Sequence, residues 1–171
     1  MTQISIPLVT DFWRKWRTLR SMDGTARRLL FEALLLPPAI LLGFKLLGVS
    51  RTQGFLRRWA SSQSSGKEFA AEPQRGIALA LQAQRLARRK ARVGDTCLVR
   101  SLTLWALLLR RGVDTQLRVG IRKTGTSFEA HAWLELRGEP LNESPSVVGT
   151  YQAFPRPVSF DAWRDLLRHS C

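Results

Sequence analysis

Through the first part of the chain, apolar residues fall at helical spacing among arginines and lysines, and beyond Gly112 they change to alternation with polar neighbours. Phe12, Trp13, Trp16 and Leu19, and then Leu29, Leu30 and Phe31, fit the helical spacing. So does "FKLLGVSRTQGFLRRWA", in which Gly48, Ser50 and Gly54 mark a turn between helical pieces. The run "LLFEALLLPPAILLGFKLLG" predicts two short packed helices meeting at Pro37-Pro38, because proline lacks the N–H that a continuing helix requires. "SSQSSGKEF" offers nothing to bury and reads as a linker. Residues 74–91 place Ile77, Leu79, Leu81 and Leu86 in a helix whose cations gather at its C-terminal end, where they suit the dipole.

Gly94-Asp95 breaks that helix, and Asp95 or Thr96 caps the next one. Cys97 then lies in the first turn, Leu98, Leu102, Trp105, Ala106 and Leu109 are available to a core, and Gly112 supplies the stop. In "TQLRVGIRK", Leu117, Val119 and Ile121 alternate with polar residues, and "FEAHAWLEL" sets Phe128, Ala130, Ala132, Leu134 and Leu136 against Glu129, His131, Trp133 and Glu135. "KTGTS" between them is a hairpin connection. A turn at "RGEP" permits a further strand near Leu141, and "SFDAWRDLLRHS" predicts a short terminal helix. The expected fold class is α+β, a helix packed on an antiparallel sheet behind a basic helical section. Placing the boundary in the linker gives a front section over 1–66 and a second domain over 67–171.

A length of 171 residues suits one domain, or a small domain with a helical appendage. The net charge of +14 is unevenly spread, with 17 Lys and Arg against five acids in residues 1–93, and ten against eight afterwards. The front section therefore suits an acidic partner, an anionic membrane surface or nucleic acid. Nucleic-acid binding has only this charge in its favour, since no finger, glycine-rich strand motif or recognition helix is recognisable. Two cysteines, Cys97 and Cys171, do not make a secreted disulfide framework and point to reduced thiols in the cytoplasm. His131 and His169 have no finger-like spacing to other ligands, so no metal is expected. The apolar front run is interrupted before the roughly 20 residues needed to cross a bilayer, which leaves peripheral membrane contact open.

Cys97 at a helix start faces unsatisfied backbone N–H groups, which favour a thiolate and can receive an oxyanion. A small buried thiol is the plain alternative. His131, on a strand 34 residues later, supplies a base in the arrangement by which papain-like folds activate a thiol, with Trp133 placed to wall the cleft against water. For the group that orients the imidazole, Glu143 ranks first because a carboxylate also stabilises the imidazolium. Asn142 ranks next, and Glu135 and Glu129 share the parity of His131.

"CLVRSLTLWALLLRRGVDTQLRVGIRK" followed by "FEAHAWLELRGEPLNE" resembles the transglutaminase-like cysteine protease domain of the B-type maturation proteins of lasso peptides. "FEALLLPPAILLGFKLLG" resembles the N-terminal helices of the standalone form of that family, and the likeness covers roughly residues 25–145. The resemblance implies Cys97 as nucleophile, His131 as general base and, where the family has an aspartate, Glu143 as third member. It implies removal of the leader from a ribosomally made precursor peptide, without metal or organic cofactor. A separate ATP-dependent cyclase then closes the macrolactam ring. With no winged-helix segment to capture a leader by β-augmentation, a separate leader-recognition protein is implied. Acyl transfer to an amine and an inactive scaffold are the other readings.

Overall fold

In the computed structural model, which describes residues 23–62, 69–90 and 96–154, the apolar front run forms one helix, α1 (Gly24–Leu47). This corrects the expectation of two helices meeting at the proline pair, since Pro37 and Pro38 lie inside it. A proline in a helix interior costs about 3 kcal/mol. Against that cost, Leu29, Ala33 and Leu36 before the pair and Ile40 after it form one buried stripe. Each large aliphatic side chain so buried contributes about 1.5–3 kcal/mol, and keeping all of them on one stripe requires the helix to continue.

Gly48, at φ +79°, turns the chain into α2 (Val49–Ser62), while Ser50 and Gly54 lie within that helix rather than in the turn. The next helix, α3 (Pro73–Lys90), matches the predicted segment to within a residue at either end. Helix α4 (Cys97–Leu109) follows. Its residues Leu98, Val99 and Ser101 to Leu108 are all buried, so the fold encloses it along most of its length. Gly112, at φ +81°, carries the chain away from its end.

Two long strands, β1 (Gln116–Thr124) and β2 (Ser127–Leu136), form the expected antiparallel hairpin through Gly125. The strand expected near Leu141 is the two-residue β3 (Glu139–Pro140), after which Leu141 N–H donates to Leu134 O at 2.8 Å. A short helix α5 (Val147–Thr150) and strand β4 (Gln152–Ala153) complete a sheet of order β3-β2-β1-β4.

One apolar core runs from Leu29, Ala33 and Ile40 of α1 through α3 and α4 to Ala130, Ala132 and Leu134 of β2. Glu32, the lone acid of the apolar run, is drawn inward to this layer. Arg111 Nη1 donates to its Oε2 at 2.7 Å, and Arg110 Nε lies 3.4 Å from its Oε1. The described part of the chain is therefore α+β, with helices packed on one face of an antiparallel sheet. The front aromatics from Phe12 to Leu19, Asp95, the predicted terminal helix, His169 and Cys171 lie outside the described residues. The expected 66/67 boundary falls in 63–68, also outside them.

Candidate active site

Thr96 opens α4 with an extended backbone, and its hydroxyl accepts from Val99 N–H at 3.4 Å. Of the two capping residues expected, Thr96 is thus seen to cap. The cap makes Cys97 the first residue of the helix, and burial of Leu98 and Val99 beside it fixes the direction of that first turn. Cys97 is a free, half-buried thiol.

His131 comes from the alternation of β2. Ala130, Ala132 and Leu134 enter the main core, whereas Trp133 joins a smaller cluster with Val147 and Tyr151. The His131 ring is stacked on Tyr151 with centroids 5.0 Å apart, and Trp133 lies alongside at 6.3 Å. Space for these rings exists because Gly120 of β1 stands opposite His131 in the register. A methyl group at Gly120 would lie 2.9 Å from Trp133 Cη2 and 3.0 Å from both Gln152 O and Tyr151 Cβ. Trp133 is fully buried, with Nε1–H donating to Glu135 Oε1 at 2.7 Å. It therefore braces the His131 ring from within, and the expectation that it walls the cleft is corrected.

The polar residues after β3 divide the orienting role. Glu143 Oε1 lies 3.4 Å from His131 Nε2, and the same oxygen is held by Arg100 of α4. Asn142 does different work: its Oδ1 accepts Leu134 N–H at 2.8 Å, and its Nδ2 donates to Ser101 Oγ at 3.0 Å. Ser101 Oγ–H in turn donates to Ala132 O at 3.0 Å. These buried bonds join the cysteine helix, the histidine strand and the loop carrying Glu143 into one unit. Glu135 is taken up by Trp133 and by Arg118, whose Nε lies 3.6 Å away. Glu129 accepts from Tyr151 Oη–H at 2.7 Å and Arg122 Nε–H at 2.8 Å.

The electrostatics follow from this arrangement. His131 is held above its usual pKa chiefly by its hydrogen bond with Cys97, then by the charges of Cys97 and Glu143. Partial burial and the nearby Arg100 oppose the rise. Glu143 stands on the Nε2 side of the ring. Tyr151 is raised by burial and by its bond to Glu129, while Glu129 is lowered by Tyr151 and Arg122. Among the described residues, no group of three or more His, Cys, Asp or Glu is placed to hold a metal ion.

Glu143 thus meets His131, 12 residues before it in the chain, and Cys97, 34 residues before His131, is the largest influence on that imidazole's titration. Asn142, Glu135 and Glu129 are occupied elsewhere, as hydrogen-bonding partners of the surrounding frame. Gly120, Ser101, Arg100 and Tyr151 were not singled out by sequence reasoning. Gly120 alone carried a local signal, as a glycine inside a strand, which marks close approach of another group.

A family model described as the transglutaminase-like superfamily matches residues 40–156, most of the chain, and the chain belongs to that superfamily. The membership agrees with the likeness carried by the Cys97 and His131 stretches. No curated protein and no solved structure matches the chain.

Proposed function

We propose that this member of the transglutaminase-like superfamily is a cysteine peptidase that removes the leader from a lasso peptide precursor. The observation that carries the reading is Glu143 Oε1 at 3.4 Å from Nε2 of His131, an imidazole whose titration is raised chiefly by Cys97 in the first turn of α4. In this mechanism the Cys97 thiol proton passes to His131 as Sγ attacks the scissile carbonyl. Backbone N–H groups of the first turn of α4 receive the developing oxyanion. The C–N bond then breaks, His131 returns the proton to the leaving amine, and a thioester remains on Cys97. Water activated by the same imidazole hydrolyses it, regenerating the thiol and releasing a carboxylate.

Glu143 and the rings of Tyr151 and Trp133 keep the imidazole directed at the sulfur through both steps. The leader is delivered by a separate recognition protein, and the released core passes to an ATP-dependent cyclase. Interception of the thioester by an amine rather than water is the competing outcome that superfamily membership supports. Mass spectrometry of a precursor incubated with the protein and its leader-binding partner decides among these. A leader-mass fragment from wild type and none from Cys97→Ala is the expected result. An amine adduct would assign acyl transfer, and intact precursor in both reactions, once leader binding is verified, would overturn catalysis.

A further inference from the structure

Helix α1 presents two opposite stripes. Leu29, Ala33, Leu36 and Ile40 are buried in the core, while Phe31, Leu35, Leu42 and Leu46 are 62%, 64%, 57% and 69% exposed. The outer four share one helical face, being spaced by four, seven and four residues. Arg27 and Arg28 stand at one end of that stripe and Lys45 at the other, so the cations are about 26 Å apart at 1.5 Å per residue. Alongside runs an apolar groove of about 500 Å³ between α1 and α2, lined by Leu35, Leu42 and Phe55 among others. Arg51, Arg57 and Arg58 are exposed on α2. The one acid between residues 24 and 62 is Glu32, already paired inward with Arg110 and Arg111.

The geometry points to the surface of an anionic lipid bilayer as the occupant of this face. An apolar ridge bracketed and flanked by cations inserts side chains among acyl chains while its arginines and lysine meet anionic headgroups. Charge disfavours two other occupants. A second copy docked face to face would bring six cations against six. The chain's own front stretch "DFWRKWRTLR" is itself basic, with two tryptophans of the kind that settle at a lipid interface. Although α1 is long and apolar enough to cross a membrane, its inner stripe and the Glu32 pairs tie it to the rest of the protein. The helix therefore lies along the lipid surface.

Flotation of the full chain tests this, using vesicles of equal parts phosphatidylglycerol and phosphatidylcholine beside vesicles of phosphatidylcholine alone. The protein is expected to float with the anionic vesicles and to be released as salt rises. Leu42→Glu/Leu46→Glu should abolish flotation, and Arg27→Gln/Arg28→Gln/Lys45→Gln should weaken it roughly tenfold or more. Both variants should keep the wild-type melting temperature and the rate of Cys97 alkylation. A soluble wild type at low salt, equal binding to neutral vesicles, or flotation that survives the double leucine substitution would each overturn the assignment. So would a stable dimer in light scattering that the same substitution disperses, since the face would then belong to a second copy.

Discussion

On the His131 face of β2, polar side chains meet one another: Tyr151 with Glu129, Glu129 with Arg122, Trp133 with Glu135, Glu143 with Arg100. Along the outer stripe of α1, the large side chains are apolar and more than half exposed. Both faces belong to elements that send their other side into the same core, so stability alone does not account for the difference. A surface whose polar groups are mutually satisfied holds its geometry without a ligand, which suits chemistry on a fixed set of atoms. A surface of exposed apolar side chains ringed by cations has geometry but no satisfaction, which suits something not yet bound.

Substitutions should separate the two faces, beginning with the largest effect. His131→Ala should lower precursor cleavage about 10²–10⁴-fold, as loss of a general base does, measured as the initial rate under saturating leader-binding partner. Gly120→Ala should crowd Trp133 and Tyr151 and destabilise the fold by about 1–3 kcal/mol in urea titrations. Asn142→Ala should cost a similar amount, about 1–3 kcal/mol, because it leaves Leu134 N–H without its acceptor; calorimetry would show a lowered melting temperature. Cleavage should fall with it, since Glu143 is next in the chain. Tyr151→Phe removes the bond to half-exposed Glu129 but keeps the stacked ring, so it should cost only about 0.5–1.5 kcal/mol. Smallest of all, Leu42→Glu should change stability by no more than about 0.5 kcal/mol. A larger loss from Leu42 than from Tyr151 would mean that the outer stripe is part of the core after all.

Protonation offers a further way to sharpen the contrast. His131 has a folded pKa above its ordinary value of about 6.5, so its imidazolium stabilises the native state fully below that value. The contribution is lost as pH rises through the higher folded value. Thermal melts across the neutral range should therefore fall with rising pH, and Cys97→Ala should flatten the slope by removing the largest cause of the shift.

Local chemistry made parts of this molecule legible in advance. Thr96 followed by an apolar run announced the start of α4, and alternation around "KTGTS" announced the hairpin, because caps and pleats are written in neighbouring residues. Glu143 was placed beside His131 by chemistry of the same kind, with a resemblance to guide it. Pro37-Pro38 misled because a propensity summed over two residues was set against packing contributed by α3 and α4, far along the chain. Tyr151 reached the imidazole through α5 and β4, elements of four and two residues with no periodicity to read. Asn142 resembled an orienter in sequence, yet its amide is spent on Leu134 and Ser101, partners that only the tertiary arrangement supplies.

A single carboxylate oxygen of Glu143 stands between Arg100 on the cysteine helix and His131 on the sheet. The carboxylate is thereby a tether, and with Ser101 and Asn142 it closes the seam between α4 and β2. Opening that seam anywhere would part Cys97, His131 and Glu143 together. The part of Cys97 reactivity that depends on His131 and the tertiary structure should consequently be lost in one cooperative transition, with no partly folded form in which Cys97 still has His131 beside it.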